Sequence, residues 1–482
     1  MLKKKSQSNP SSLVGASLNS LVPAERVTRL REKTEGSLGQ TGFVLYWMQM
    51  TKRVQHNFGL QYAIEKANEL GLPVVVYEGL RYDYPWACDR IHSFIIEGAR
   101  HTAEELKKRG IQYLFYLEKD KQSPKGVLLR LASQSAFVVT DDFPCFIIPG
   151  HNKILAEKVD TPSVAVDSNG IIPMKLFNKQ EYAARTIRPK IYKLLPTHFK
   201  DWKLSQPKVK RSLDLPGPWT SLEKGQPEDL ANECDIDHSV KSHKRFIGGR
   251  PAGLAALKKF LTTGKGYSDR RNNSGEGSQG TSGLSPYLHF GFISSLEVAL
   301  AVKDSETLTM DDKNAYLEEL IVRRELSYNF TLFKSDYEKI ESLPNWAKLT
   351  LHDHQNLPRS HNYTLEQFEN GLTHDDLWNA SQLEMVKSGK MHGYMRMLWG
   401  KKIIEWTKTP EEALSTMIHL NNKYCLDGRN PNSYVGFLWC LGLHDRPWFP
   451  KRPGFGSVRY MSSDSTKKKL DWKSYLKFVS EL

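Results

Sequence analysis

Cysteine is scarce and scattered in this 482-residue chain. Cys88, Cys145, Cys234, Cys425 and Cys440 form no C-x-x-C pair, which argues against a zinc ribbon or a disulfide frame and fits a reducing compartment. Only two of them follow residue 400, too few to hold an iron-sulfur cluster there by themselves. No apolar run approaches the length of a bilayer span, and the start, MLKKKSQSNPSSLVGASLNS, is basic without a sustained apolar core, so no membrane association is expected. Acid is in deficit as well. The 54 acidic side chains face 68 basic ones, giving a formal charge of +14 and a pI near 9.3, which favours a polyanionic partner, most commonly nucleic acid.

With 39% hydrophobic and 25% charged residues, the chain has the composition of a globular protein of two or three domains. β-rich runs stand at Gly42–Met48, Pro73–Gly79, Ile111–Glu118, Ala136–Asp142 and Ser163–Asp167, with helical patterns between them. One such pattern is Arg90–Arg109, with Ile91, Phe94, Ile95, Gly98 and Thr102 on one face. Parallel neighbours need crossover connections, so the alternation predicts an α/β doubly wound parallel sheet. No GxGxxG follows the first strand, so the usual dinucleotide site is not expected there. The expected division is a flexible tail over 1–40, the α/β domain over 41–170, a Pro-rich interdomain linker over 171–245 and an all-helical domain over 246–482.

The helical half centres on Thr373–Trp439. Met395, Trp399, Lys402 and Trp406 fall at i, i+4, i+7 and i+11, which puts two indoles on one helix face. Such spacing usually means core. The polar company does not: Arg396 lies inside the apolar segment, Asn421 opens a polar cluster, and Asp427 to Asn432 read DGRNPN, a turn rich in donors and acceptors. Apolar walls, a few fixed polar groups and aromatic rings suit a flat, polar-edged cofactor such as a flavin. Upstream, the Gly/Ser loop carrying Tyr267, Arg271, Thr281, Ser282 and Ser285 leads into a helix start near Leu284, where hydroxyls and amides can hold a phosphate. Pattern alone does not choose among Glu318, Glu319 and Glu325.

In order, TSGLSPYLHFG, EELIVRREL, YTLEQFENGLTHDDLWNASQ, GKMHGYMRMLW and LDGRNPNSYVGFLW resemble blocks of the class II cyclobutane pyrimidine dimer photolyases, from Phe43 to the C-terminus. The resemblance implies an α/β antenna-type domain, a helical domain that binds FAD, and light-driven repair of UV-damaged double-stranded DNA. In that reaction excited reduced flavin lends an electron to a flipped dimer. It also implies residue roles. Tyr267, Thr281, Ser282, Leu284 and Ser285 would meet the flavin phosphates, with Gly428 and Asn432 from the turn completing the cofactor site. Glu319 would face the dimer, Asn421 the flavin ring nitrogen, and Arg396 and Asp427 would flank the ring. Trp378, Trp399 and Trp406 would carry electrons, Trp399 nearest the flavin.

Met397 and Trp439 would wall the dimer pocket, and Arg446, Trp448 and Arg459 would belong to a loop filling the gap left by flipped bases. Lys451 and Arg452, with Lys467 to Lys469, would meet phosphates. The chain departs from the family after its first strand, where WMQMTKRVQHNFGL carries Lys52, His56 and Phe58 in place of two acids and a tryptophan, which leaves the 8-hydroxy-deazaflavin antenna of the family an open expectation. Arg323 stands where some members have tryptophan. Two alternatives stay open: a cryptochrome-like light sensor, disfavoured by the 43 residues that follow Trp439, and repair of the (6-4) photoproduct, for which His392 and His444 are the candidate histidines. A monomer is expected, cytoplasmic if the source is prokaryotic and nuclear if eukaryotic.

Overall fold

The computed structural model describes residues 20–32, 42–276 and 280–482. Six strands, β1 (Val27–Arg31), β2 (Val44–Trp47), β3 (Val74–Leu80), β4 (Gln112–Leu117), β5 (Phe137–Asp141) and β6 (Ser163–Val166), form one sheet in the order β1-β6-β5-β2-β3-β4. All pairs are parallel except β1 with β6. The central strands β2 and β6 are buried along their whole length, which is why Val, Leu, Tyr and Trp run on there without polar alternation. Helices α1 (Phe58–Leu70), α2 (Asp89–Lys108), α3 (Val127–Gln134) and α4 (Ile148–Lys158) make the crossovers. In α2 the face expected from the sequence, Ile91, Phe94, Ile95, Gly98 and Thr102, is the buried one.

Two parts of the sequence reading need correction. Val27–Arg31 lies within the expected tail, yet it closes the sheet edge as β1, and the Arg26 guanidinium is buried on the carbonyls of Asp167, Gly170 and Ile171. Residues 1–19 and 33–41 of that expected tail lie outside the described residues. The expected linker is no free connection. Its segment from Trp202 to Thr220 runs back over the sheet, stacking Trp202 on Phe58 and exchanging hydrogen bonds between Leu213 and Gln112 and between Thr220 and the β4 backbone. It also contains a helix over Ala184–His198.

From Arg250 onward the described residues are helical, and one apolar cluster joins Ile91, Phe94 and Phe143 of the sheet region to Phe292, Leu326 and Phe437 of the helical region. The contact is close enough to dictate glycines: a Cβ on Gly291, at φ +69°, would stand 2.2 Å from the Met50 carbonyl oxygen, and one on Gly248 would stand 1.9 Å from that of Phe94. Polar groups seal the seam. Arg90 donates to the carbonyls of Val386 and Lys387 at 2.7 and 3.2 Å, at the carboxyl end of the helix Asp376–Ser388, and to that of Tyr424 at 2.8 Å, at the end of the helix Pro410–Tyr424. Glu325 accepts from the Ile171 and Ile172 amides at 2.8 and 3.3 Å, and burial pushes its carboxyl up to about 7.

Candidate flavin site

A cavity of about 420 Å³ opens in the helical region. It lies among the long helix from Met310 to Phe333, the short helix Ser285–His289, the helix Gly393–Trp406 and the start of the helix Pro431–Cys440. The long helix widens to π-type spacing over Glu318–Arg323, a local expansion often found at functional sites, and Glu319, Leu320, Arg323 and Arg324 line the cavity from that stretch. Of the residues expected at a cofactor or lesion, Tyr267, Ser282, Ser285, Glu319, Arg396, Met397, Asp427 and Asn432 line it together. Thr281, Leu284, Asn421, Gly428 and Trp439 do not; Leu284 turns into the core instead.

One ion-pair cluster organises the floor. Arg396 donates to Asp427 Oδ1 at 3.0 Å, Ser285 donates to Asp427 Oδ2 at 2.6 Å, and Lys390 Nζ donates to Ser285 Oγ at 2.6 Å while standing 3.7 Å from Asp427. Burial alone would push the Asp427 carboxyl up, but Arg396 and Lys390, with the Ser285 hydroxyl, outweigh it and hold the group well below the usual carboxylate range. The Asp427 loop is shaped for this task. Arg429, at φ 56°, is buried and donates to the Cys425 and Asn422 carbonyls, and Asn430 accepts from the Asn432 amide at 2.9 Å and donates to His289 at the same distance. Gly428 is required by closeness: a Cβ there would lie 2.9 Å from the Asn421 carbonyl oxygen.

Two features speak for a polar ligand. Arg323, Arg324, Lys390 and Arg396 face only two carboxylates, Glu319 and Asp427, so the cavity is cationic. Several buried polar atoms also have no partner among the described residues: both amide atoms of Asn421, itself 1% exposed, and Nε of Arg396. Leaving such a group unpaired costs about 1–3 kcal/mol, and in Asn421 both the donor and the acceptor of one amide are left so. FAD fits this donor set. Its diphosphate would take Lys390, Ser282, Ser285 and Tyr267, and its ring edge would take Arg396 and Asn421.

Behind the cavity lie three indoles with no water access. Trp399 contacts the lining residue Phe437 at 6.5 Å between centroids and donates Nε1 to Gln382 at 2.9 Å. Trp378 donates Nε1 to the Trp399 carbonyl at 3.0 Å and meets Trp406 edge-on at 5.8 Å. Trp406 in turn touches Tyr363 and the exposed His374 at 5.5 and 5.1 Å. The series therefore runs from the cavity wall to the surface.

Glu319 stands at the lip, 45% exposed, with Arg271 donating to it at 2.9 Å. Trp439 is half-buried, edge-on to His444 at 6.3 Å. On the following loop the Trp448 ring is covered by two guanidinium groups, Arg446 at 4.5 Å and Arg459 at 4.8 Å, while the neighbouring Phe449 is 75% exposed. Lys451 and Arg452 are exposed beside it. His392 and His444, the candidates for the other photoproduct, do not line the cavity. His392 caps the helix Gly393–Trp406, His444 bonds the Tyr182 carbonyl, and burial lowers both to about 4.

Another cavity, about 210 Å³, sits at the carboxyl ends of β2, β3 and β5, where strand order reverses, and is lined by Gln49, Lys52, Leu80, Tyr84 and Phe146. Its polar groups have partners: Lys52 pairs with Glu78 at 2.6 Å, and Gln49 donates to Thr140 and Asn152 at 2.8 and 2.9 Å.

Sequence reasoning did not single out Lys390, Arg324 or Tyr316, all of which line the helical cavity. A signal existed for Lys390, which stands six residues before Arg396 in the same block.

A mostly parallel sheet joined to a helical region is a fold this chain shares with solved photolyases and a cryptochrome. A class III photolyase from Agrobacterium tumefaciens superposes with a TM-score of 0.68 at 18% identity, covering 93% of this chain and 89% of that one. The DNA photolyase family model matches residues 44–208. The deoxyribodipyrimidine photo-lyase of Methanothermobacter thermautotrophicus is 40% identical over 465 residues, 95% of this chain and 98% of its own length, and that of Arabidopsis thaliana is 38% identical over 95% and 93%. The chain belongs to the DNA photolyase family.

Proposed function

We propose that this protein is a class II deoxyribodipyrimidine photo-lyase, a carbon-carbon lyase that uses light and FAD to split cyclobutane pyrimidine dimers in double-stranded DNA. The observation that carries the reading is the cationic helical cavity, with unpaired Asn421 and Arg396 atoms beside it and three linked indoles behind it. Bound reduced FAD supplies the photoexcited electron that opens the cyclobutane ring. The chain does the rest. Arg396, Asp427 and Lys390 form a fixed charge cluster that needs no reorganisation when charge moves nearby. Glu319, at the lip, offers its carboxyl to a base carbonyl of the dimer. Trp406, Trp378 and Trp399 provide stepping stones for electrons from the surface inward.

Flipping the dimer costs a few kcal/mol, less for a damaged pair. Arg446, Trp448 and Arg459 form a cationic, partly stacked unit beside the mouth, and exposed Phe449 is the ring free to fill the gap. Lys451 and Arg452 meet phosphates without reading sequence. The sheet-end cavity is the place for an antenna chromophore of 8-hydroxy-deazaflavin type. The protein acts as a monomer.

The test is repair of a thymine-dimer oligonucleotide by the photoreduced protein under blue light, with a dark control and Glu319→Ala. Intact thymines should appear only in light, on the order of 10²-fold more slowly in the variant at unchanged flavin content. Bound flavin without repair of this lesion would overturn the reading.

A further inference from the structure

Arg323 lies four residues beyond Glu319 on the π-type stretch and lines the mouth of the helical cavity, with its side chain 33% exposed. Its guanidinium carbon sits 5.1 Å from the centroid of the Trp439 indole, over the ring face. Trp439 is braced in turn by His444, so the stacked pair forms a fixed wall. Its ion-pair partner, Glu318, is shared with Arg188. Glu318 receives two hydrogen bonds from Arg188, at 2.6 and 3.1 Å, and stands 3.6 Å from Arg323 Nε, beyond hydrogen-bond reach. Among the described residues no side chain or carbonyl accepts a hydrogen bond from Arg323. A planar fork of donors is thus presented, immobilised by stacking, at the opening through which a substrate enters.

We propose that Arg323 is a specificity-determining residue that grips a backbone phosphate of the extrahelical lesion, while Trp439 takes the face of a base. A guanidinium fork matches the paired oxygens of a phosphodiester, and stacking on an indole leaves its N–H edge free to donate. A dinucleotide drawn into the cavity brings the phosphate between its two sugars to the mouth. Undamaged duplex keeps its backbone outside and does not reach Arg323. The contact therefore adds to binding of damaged DNA alone, unlike the exposed Lys451 and Arg452, which meet any duplex. This inference rests on the proposed action on a flipped pyrimidine dimer.

The experiment measures dissociation constants in the dark, over a series of salt concentrations, for a thymine-dimer duplex and its undamaged counterpart. Wild type, Arg323→Gln and Arg323→Lys are compared, with flavin absorbance and thermal midpoint as folding controls. Arg323→Gln should weaken damaged-duplex binding about tenfold, lower its salt slope by about 0.9, and leave the undamaged duplex unchanged. Arg323→Lys should keep the slope and lose part of the affinity. A dimer whose internal phosphate is replaced by an uncharged methylphosphonate should weaken wild type by the same factor and Arg323→Gln no further. The wild-type half of this arm needs no altered protein: no loss of affinity on methylphosphonate replacement would overturn the proposal even where a variant misfolds. Equal weakening of both duplexes, or an unchanged damaged-duplex slope, would overturn the proposal while wild-type repair in light left the functional reading standing. Wild type that neither prefers nor repairs the dimer would sink both.

Discussion

The two cavities differ in what their walls have left unpaired. At the sheet ends, Lys52 is consumed by Glu78, which also accepts from Tyr113, and Asp141 accepts from the Gln49, Met50 and Thr51 amides. That pocket is complete as it stands. Beside the helical cavity, Asn421 and Arg396 retain donors and acceptors with no partner among the described residues, and four cations face two acids. Unpaired polar atoms beside an excess of cations suit a polar, anionic ligand. A pocket that has spent its polar groups internally selects by shape; one that has withheld them selects by chemistry.

The contrast can be broken most severely at Asp427. Asp427→Ala leaves Arg396 and Lys390 together without their acid, which should cost about 3–5 kcal/mol of stability and abolish flavin retention, measured by urea unfolding and absorbance. Next comes Trp378→Phe, which keeps the packing but interrupts the linked indoles. Photoreduction of the oxidised protein should slow strongly, while repair by chemically reduced protein stays near wild type.

A smaller effect is expected at the seam between the regions. The Glu325 carboxyl is raised to about 7 by burial, so the folded protein holds its proton more tightly than the unfolded chain does. Its stabilising contribution is then full below the unfolded value, near 4.3, and is lost as pH rises through about 7. Glu325→Gln should remove that dependence and raise stability at pH 8 by on the order of 2–3 kcal/mol, read from thermal midpoints across pH. The smallest change belongs to the sheet-end pocket: Gln49→Leu should cost about 1 kcal/mol and leave flavin content untouched.

The sequence made the parallel strands legible because buried parallel strands are apolar runs, and VLYW and SVAV, flanked by glycine or by proline and aspartate, alternate with helical patterns. It hid β1, since VTRLR is short, half-exposed and carries two arginines, the signature of an edge. The return path from Trp202 to Thr220 was hidden for a related reason. Isolated side-chain and backbone bonds to the sheet leave no periodicity, so Pro-rich sequence reads as linker. In the site, Arg396 and Asp427 stood out as charges within apolar stretches. Lys390, just past a helix end, and Arg324, in the middle of a helix, did not, because a basic side chain on a helical pattern looks solvated until the fold turns it inward. The pairing of Trp448 with Arg446 and Arg459, which joins residues as far apart as 446 and 459, belongs to the three-dimensional loop alone.

The central claim is that the unpaired polar atoms are held for the flavin. It is tested most directly by the thermal midpoint of flavin-free protein, with and without added FAD, for wild type and Asn421→Leu. The account predicts opposite signs: the variant without FAD is more stable than wild type, because two unpaired buried atoms are gone, and it gains less from added FAD. A variant less stable than wild type without FAD, yet stabilised by FAD to the same extent, would contradict it.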